Sequence, residues 1–341
     1  MSKQRILVIG YFGHITNQID GQTIRTNSIY NLIKERSDSE VIFFDTQSLK
    51  FKKLNIFKLL FLIFKANTIF DIAAHGHLKY LFPIIYLICA FFNKKLNFVS
   101  IGGWLYIFLK NKPFHKFLLS RVDNIFVQTL NLDLNLRKYN FENIVLLNNF
   151  RLFDNNKIDI KFGDIKKIVF MARVHEMKGV DTIFKLSNAL QNLGYNDIEI
   201  DIYGPIHDEY KNNFIENINN SLVNYGGIVE PFNVYSVLEK YDFMIFPTKY
   251  YTEGFPGSIL DSYIAGIPVI ASNWLNAHEF IVDENTGYIV EFDNPTAFID
   301  KVIWLIQNPE KLGKLKANII EYRKQYSADA AWSTLLESKA I

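Results

Sequence analysis

The sequence predicts two α/β domains, each built on a doubly wound parallel sheet. The chain has 341 residues, which is more than twice the ~150 residues of a common domain. Short apolar runs of strand length alternate with helical stretches along most of the chain, a pattern typical of parallel α/β folds. The alternation stops once, at residues 151–164, where Asn, Asp and Lys are abundant. That composition indicates a linker between two domains.

The first half of the chain begins with a strand at residues 6–10, a continuous apolar run that ends in glycine. Such a run is expected of a parallel strand buried on both faces. A loop and a helix at 23–35 follow. Five further strands are predicted at 41–45, 69–74, 96–100, 124–128 and 143–147.

The second half repeats the plan. Strands are predicted at 167–171, 198–203, 243–246 and 268–271, and helices at 179–193, 208–224 and from Pro256 to Gly266, with a helical tail from Pro295 to the end. We expect domains at 1–155 and 160–325, with a last helix at 326–341 that crosses back to the first domain. Two such domains would leave a ligand cleft at the carboxyl ends of their strands.

Composition narrows the class of protein. The chain is 49% apolar and 21% charged, which excludes a disordered or collagen-like chain. The single cysteine, Cys89, excludes a disulfide framework and favours a reducing, cytoplasmic location. No signal peptide is visible, and the longest apolar stretch, 80–92, is interrupted by Pro83 and is too short to span a bilayer.

Charge is divided unevenly along the chain. Residues 1–160 carry 21 Lys and Arg against 11 Asp and Glu, and residues 161–341 carry 16 against 24. Within the basic half, residues 50–65 mix lysines with large apolar side chains at helical length. This stretch is either a core helix with solvated lysines or a helix that lies on an anionic membrane surface.

The most informative segment is 246–271, a strand that leads through a loop into a helix and a second strand. Pro256 is a residue favoured in the first turn of a helix. The free N–H groups at the start of that helix would form an anion site. Glu253 lies just before the helix and Asp261 lies inside it, so the two carboxylates can address different parts of one extended ligand.

A second segment, 170–181, places Arg173 at the end of a strand and Lys178 at the start of the next helix. Two cations beside a helix N-terminus suit a diphosphate. The alternative is an ordinary surface Arg and Lys near the linker.

Together these segments resemble the family-4 retaining glycosyltransferases of the GT-B fold, of the bacterial cell-envelope polysaccharide type. The match covers most of residues 165–295 and includes Arg-x4-Lys-Gly at 173–179, Tyr203-Gly204, Glu253-Gly254-Phe255-Pro256 and Ala265-Gly266-Ile267-Pro268. It is looser in the first half, at Gly21-Gln22-Thr23 and at Phe126-Val127-Gln128-Thr129.

The resemblance implies a nucleotide-diphosphate sugar bound mostly by the second domain. Arg173 and Lys178 would hold the diphosphate, Glu253 the hydroxyls of the donor sugar and Asp261 the ribose. The resemblance places the remaining donor contacts at Gly21, Gly204, Phe255, Pro256 and Gly257, with the base near Gly204 and residues 229–232. Transfer would retain the anomeric configuration. No separate protein base would then be needed, because the leaving phosphate can take the acceptor proton. No metal ion and no other cofactor is expected.

Two positions depart from the family pattern. The second acidic residue is usually Glu, and here it is Asp261, which is one methylene shorter. Many members carry a histidine after a strand of the first domain, whereas the corresponding stretch here contains Gly102 and Gly103. The backbone of these glycines would then contact the sugar.

The sequence therefore predicts a GT-B hexosyl- or N-acetylhexosaminyl-transferase. The acceptor would be a glycan hydroxyl, lipid-linked in a pathway such as capsule or O-antigen synthesis, and the enzyme cytoplasmic or peripheral on the inner face of the membrane. The alternative is a nucleotide-sugar epimerase or isomerase of GT-B shape. A Rossmann oxidoreductase is disfavoured because Gly-x-Gly-x-x-Gly is missing, and a nucleic-acid partner because the aromatic residues are not interleaved with Arg and Lys.

Overall fold

The computed structural model describes residues 4–18, 20–153, 165–219 and 221–341. The chain divides into two compact units, Met1–Phe153 with Gln325–Ile341, and Asp154–Lys324. Each unit has its own six-stranded parallel sheet. Most of the predicted linker, from residue 154 to 164, lies outside the described residues.

The sheet of the first unit has the order β2-β1-β3-β4-β5-β6. Its strands are β1 Arg5–Gly10, β2 Glu40–Asp45, β3 Thr68–Ala73, β4 Lys95–Ser100, β5 Asn124–Val127 and β6 Ile144–Leu146. Successive residues of β1 alternate between two hydrophobic clusters, since Leu7 and Ile9 belong to one and Ile6 and Val8 to the other. Both faces of this sheet are therefore covered, as the continuous apolar runs predict.

Helices of the first unit cover these two faces. They are α1 Gly21–Arg36, α2 Ser48–Phe51, α3 Asn55–Lys65, α4 His75–Tyr80, α5 Phe82–Phe91, α6 Leu105–Leu109, α7 Pro113–Leu119, α8 Leu130–Arg137 and the returning α16 Ala328–Glu337. Helices α3, α5 and α7 contribute buried residues to one cluster, whereas α1 and α16 contribute to the other. An ion pair of 2.7 Å between Arg36 and Asp329 joins α1 to α16.

The sheet of the second unit has the order β12-β11-β10-β7-β8-β9. Its strands are β7 Lys167–Met171, β8 Glu199–Tyr203, β9 Val223–Gly227, β10 Phe243–Phe246, β11 Val269–Ser272 and β12 Gly287–Val290. Its helices are α9 Val180–Asn192, α10 Lys211–Ile218, α11 Val234–Leu238, α12 Gly257–Ile264, α13 Ala277–Phe280, α14 Pro295–Gln307 and α15 Pro309–Tyr322. Strand β10 pairs with both β7 and β11, which brings the loops after these strands to one edge.

Four details of the secondary structure differ from the sequence prediction. The helix predicted at 208–224 ends at Ile218, and Val223–Gly227 is an edge strand. Because the middle residues of this strand are exposed, its sequence lacks the alternating apolar pattern by which a strand is recognised. Strand β12, only four residues long, was missed. The helices predicted at 50–65 and from Pro295 onward are each divided, in the second case at Pro309, which begins α15.

Among the described residues, the helices are too short or too polar to cross a lipid bilayer.

Candidate active site

Three loops of the second unit lie at the carboxyl edge of neighbouring strands. The loop after β7 carries Arg173 and Lys178, the loop after β8 begins at Gly204, and the loop after β10 carries Glu253. Ligands of open parallel sheets bind at this edge. The adjacency of β8, β7 and β10 therefore gathers the residues that the sequence singled out in this half.

The side chains of Lys178 and Glu253 meet. The ammonium Nζ of Lys178 donates to Glu253 Oε1 at 2.8 Å and to Oε2 at 2.7 Å. The two side chains are 22% and 15% exposed, so water screens the pair only in part. Lys178 was predicted to bind the diphosphate and Glu253 the sugar of one donor, and the two side chains thus bind each other.

Glycine allows the two loops to approach so closely. Gly179 caps α9 with φ +75°, and a Cβ there would lie 1.8 Å from the carbonyl oxygen of Pro247. Any other residue would push apart the loops that carry Lys178 and Glu253. A main-chain hydrogen bond from Lys249 N to Met177 O, 2.9 Å long, adds a second tie.

Gly204 supports the segment that carries Arg173. Its φ is +132°, and a Cβ there would lie 2.0 Å from the carbonyl oxygen of Ala172. Arg173 itself is exposed, and its guanidinium forms no ion pair with another described residue. It therefore differs from Lys178 in having no carboxylate to displace when an anion binds.

Helix α12 follows the Glu253 loop. Pro256 is its N-cap, and no side chain caps this end by a hydrogen bond. The amides at Gly257 and Ser258 therefore have no partner within the helix, as is usual for a first turn. Asp261 is half-buried one turn further along.

A fourth loop, which sequence reasoning missed, holds the Glu253 segment in place. Leu275 N donates to Tyr251 O at 2.9 Å, and the Asn276 side-chain amide donates to Glu253 O at 2.7 Å. The ring of Phe255 stacks on Phe280 with centroids 3.9 Å apart and planes 1° from parallel. We call residues 274–280, which follow β11, the β11 clamp. Tyr251, Glu253 and Phe255, every second residue of this segment, thus each contact the β11 clamp.

Comparison with known proteins identifies the family. The family model described as "Glycosyl transferases group 1" matches residues 153–326, which is more than half of the chain. The chain belongs to this family.

Two curated relatives resemble part of this chain. An uncharacterized glycosyltransferase of Methanocaldococcus jannaschii, MJ1178, is 26% identical over 173 residues, which are 51% of this chain and 47% of that protein. The capsular polysaccharide biosynthesis glycosyltransferase CapM of Staphylococcus aureus is 25% identical over 195 residues, 53% of this chain and 49% of that protein. The chain thus spans about half the length of the curated relatives it matches.

A solved structure resembles the chain over its whole length. HepE of Anabaena, determined in complex with UDP, gives a TM-score of 0.74 at 12% identity and covers 99% of each chain. Two Rossmann-like units that resemble such neighbours confirm the GT-B fold class.

The remaining predicted donor contacts, Gly21, Gly102 and Gly103, lie in the first unit. Gly21 is the first residue of α1, but the Asp20 carboxylate already accepts from Gln22 N and Thr23 N at this helix end. Gly102 follows β4, and its N–H donates to Gln128 Oε1 at 3.3 Å. A Cβ added at Gly103 would have no atom within 4 Å.

The first unit also contains a buried polar pair that the sequence did not link. His77 Nε2 lies 2.8 Å from Asp71 Oδ1, and the Asp71 side chain is fully buried in β3. Searching the described residues for three or more His, Cys, Asp or Glu side chains that could hold a metal ion finds no such group.

Proposed function

We propose that this chain is a retaining glycosyltransferase that moves a hexose or N-acetylhexosamine from a nucleotide-diphosphate sugar to a hydroxyl of a glycan acceptor. The observation that carries the proposal is the contact between Lys178 and Glu253 at the carboxyl edge of β7 and β10, with Arg173 on the same loop as Lys178. A cation for the diphosphate and a carboxylate for the sugar hydroxyls thus lie within a few ångströms of each other. A nucleotide sugar needs both groups at this spacing, because its sugar is joined directly to the diphosphate.

Each residue has a role in this proposal. Arg173 and Lys178 hold the diphosphate and stabilise the negative charge that develops on it as the bond to the sugar breaks. Glu253 accepts hydrogen bonds from the sugar hydroxyls, and Asp261 accepts from the ribose. The acceptor hydroxyl attacks from the face that the phosphate leaves, and the leaving phosphate takes its proton. The anomeric configuration is then retained.

The donor is proposed from chemistry and from a structural neighbour. HepE binds UDP and UDP-glucose, and the loops after β7, β8 and β10 offer the charges that such a molecule needs. A uridine nucleotide is therefore the first probe to use.

The acceptor and pathway are proposed on independent grounds. CapM belongs to capsular polysaccharide biosynthesis, and the first half of this chain carries an excess of ten positive charges. We propose a lipid-linked glycan acceptor in envelope polysaccharide synthesis, such as capsule or O-antigen, and a peripheral position on the inner face of the membrane.

The thermal unfolding temperature measured against a panel of nucleotide sugars tests the donor, because a ligand that binds the folded state raises it. One donor should stand out. Incubation of that donor with and without a glycan acceptor then separates two reactions. A transferase forms product only with the acceptor, whereas an epimerase converts the donor alone, which would refute the proposal. The anomeric coupling constant in the proton NMR spectrum of the product tests retention.

We further propose that transfer needs no metal ion, because Arg173 and Lys178 supply the positive charge that a divalent cation would otherwise provide. Excess EDTA should leave turnover unchanged. A loss of activity with EDTA that Mg²⁺ or Mn²⁺ restores would contradict this.

A further inference from the structure

Three helices of the first unit turn large apolar side chains outward on the same side of the sheet. Helices α3, α5 and α7 each bury one face in the hydrophobic cluster that they share with β1, β3 and β4. Their opposite edges carry exposed residues at helical spacing: Phe57, Phe61 and Phe64 on α3, Ile84, Leu87 and Phe91 on α5, and Phe114 and Phe117 on α7. Phe57 is 65% and Phe91 is 83% exposed. We call these eight residues the three-helix face.

The face is continuous across the helices. Helix α5 packs against both α3 and α7. At the ends of α3 and α5 the rings of Phe64 and Phe92 lie 5.3 Å apart, and Phe92 contacts Phe91 at 4.9 Å. Monomeric proteins seldom leave contiguous apolar surface of this kind uncovered, so a partner is needed.

Charge around the face decides what that partner is. Residues 46–122 contain twelve Lys and Arg and a single acidic residue, Asp71, which is fully buried. Several of the cations lie beside the exposed rings, since Lys65 Nζ is 4.2 Å above the ring of Phe61 and Arg121 is 5.6 Å above that of Phe117. A second copy of this chain would bring two such cationic surfaces together, and their repulsion opposes a dimer.

We infer that the three-helix face docks on an anionic lipid bilayer. The aromatic and aliphatic side chains enter the boundary between headgroups and acyl chains, while the lysines reach the anionic headgroups, as amphipathic surface helices do. The sequence suggested only residues 50–65 for this role. The structure adds α5 and α7 and makes the site a surface of three helices. The inference deepens the proposed membrane location, but it does not depend on sugar transfer.

Co-sedimentation of the full chain with vesicles tests the inference. The probes are vesicles of phosphatidylcholine with about a third phosphatidylglycerol, and vesicles of phosphatidylcholine alone. The wild type should bind the anionic vesicles at low salt, and raising the salt several-fold should weaken binding because surface charges are screened.

Variants separate the two contributions. The triple change Phe61→Ser, Phe91→Ser and Phe117→Ser should lower vesicle affinity at least tenfold, and Lys58→Gln with Lys65→Gln and Lys116→Gln should reduce the salt dependence. Leu193→Ser is the control, because Leu193 is also a large exposed apolar residue, 58% exposed, but lies in the second unit, and it should bind as the wild type does. All three variants should keep the unfolding temperature and UDP affinity of the wild type.

Three outcomes would overturn the inference: a wild type that fails to bind anionic vesicles at low salt, a control that loses as much affinity as the triple variant, or a concentration-dependent dimer in sedimentation equilibrium that the triple variant abolishes. Vesicle binding without any nucleotide binding would support the docking of the three-helix face and refute the proposed donor instead.

Discussion

At the scale of single residues, the ion pair between Lys178 and Glu253 predicts that the two residues affect nucleotide binding in opposite directions. A nucleoside diphosphate must compete with the Glu253 carboxylate for Lys178. Glu253→Gln removes that competitor and keeps the shape of the side chain. We expect UDP affinity, measured by calorimetry, to stay the same or rise, while turnover falls about a hundredfold because a positioned polar contact to the sugar is lost. Turnover near that of the wild type would show that Glu253 takes no part in the reaction.

A mutant cycle tests whether the competition is real. Lys178→Ala should weaken UDP binding about 10- to 100-fold, since it removes a charge-assisted hydrogen bond and leaves the carboxylate of Glu253 facing the phosphate. Adding Glu253→Gln should recover part of that loss.

Arg173→Ala is the control for the cycle, because Arg173 pairs with no carboxylate among the described residues. It should also weaken UDP binding, but Glu253→Gln should not rescue it. Equal rescue of both variants would show that Glu253 repels the nucleotide in general and does not act through Lys178.

At the scale of elements, the β11 clamp positions Glu253 from outside the predicted motifs. Asn276 is 3% exposed, and its amide holds the Glu253 carbonyl. Asn276→Ala should therefore lower turnover about tenfold, because an error of 1 Å in a positioned group is costly. The affinity for UDP, which we propose depends on Arg173 and Lys178, should change less than twofold.

Asn97→Ala is the matched control for Asn276→Ala. Asn97 is also a buried asparagine whose amide donates to a backbone carbonyl, that of Ala340 at 3.1 Å, but it lies in the first unit. Both variants should lose about 1–3 kcal/mol of unfolding free energy. Only Asn276→Ala should slow turnover at a temperature where both remain folded. If both variants slowed turnover equally, Asn276 would have only a structural role.

The clamp also shows what a sequence can and cannot predict. Strands β1 and β7 were predictable because parallel strands buried on both faces are continuous apolar runs. Residues such as Lys178 and Glu253 were predictable because they stand at strand ends within a motif. Asn276 and Phe280 lie in no recognisable pattern. Their contacts with Glu253 and Phe255 join residues more than twenty positions apart, which only the pairing of β10 with β11 brings together.

At the scale of the whole molecule, the single cysteine reports on the opening of the first unit. Cys89 is 1% exposed in α5, on the buried side of the helix that lies at the centre of the three-helix face. Burial raises the pKa of this thiol to about 12, so the reactive thiolate is disfavoured in the folded state. Because the folded pKa is above that of the unfolded chain, this group's contribution to stability is complete below pH 9 and is lost as the pH rises further.

Labelling of Cys89 by a thiol reagent at pH 8 should therefore proceed only through unfolding, at a rate that denaturant increases in step with the loss of helical circular dichroism. Anionic vesicles should slow it further if α5 docks on them, because binding stabilises the folded unit. The Phe61, Phe91 and Phe117 triple variant should show the same labelling rate with and without vesicles. Rapid labelling of the native protein, complete before any helix is lost, would show that α5 opens without unfolding of the rest of the first unit. The first unit would then not unfold cooperatively, and α5 would not be the stable helix that the proposed docking requires.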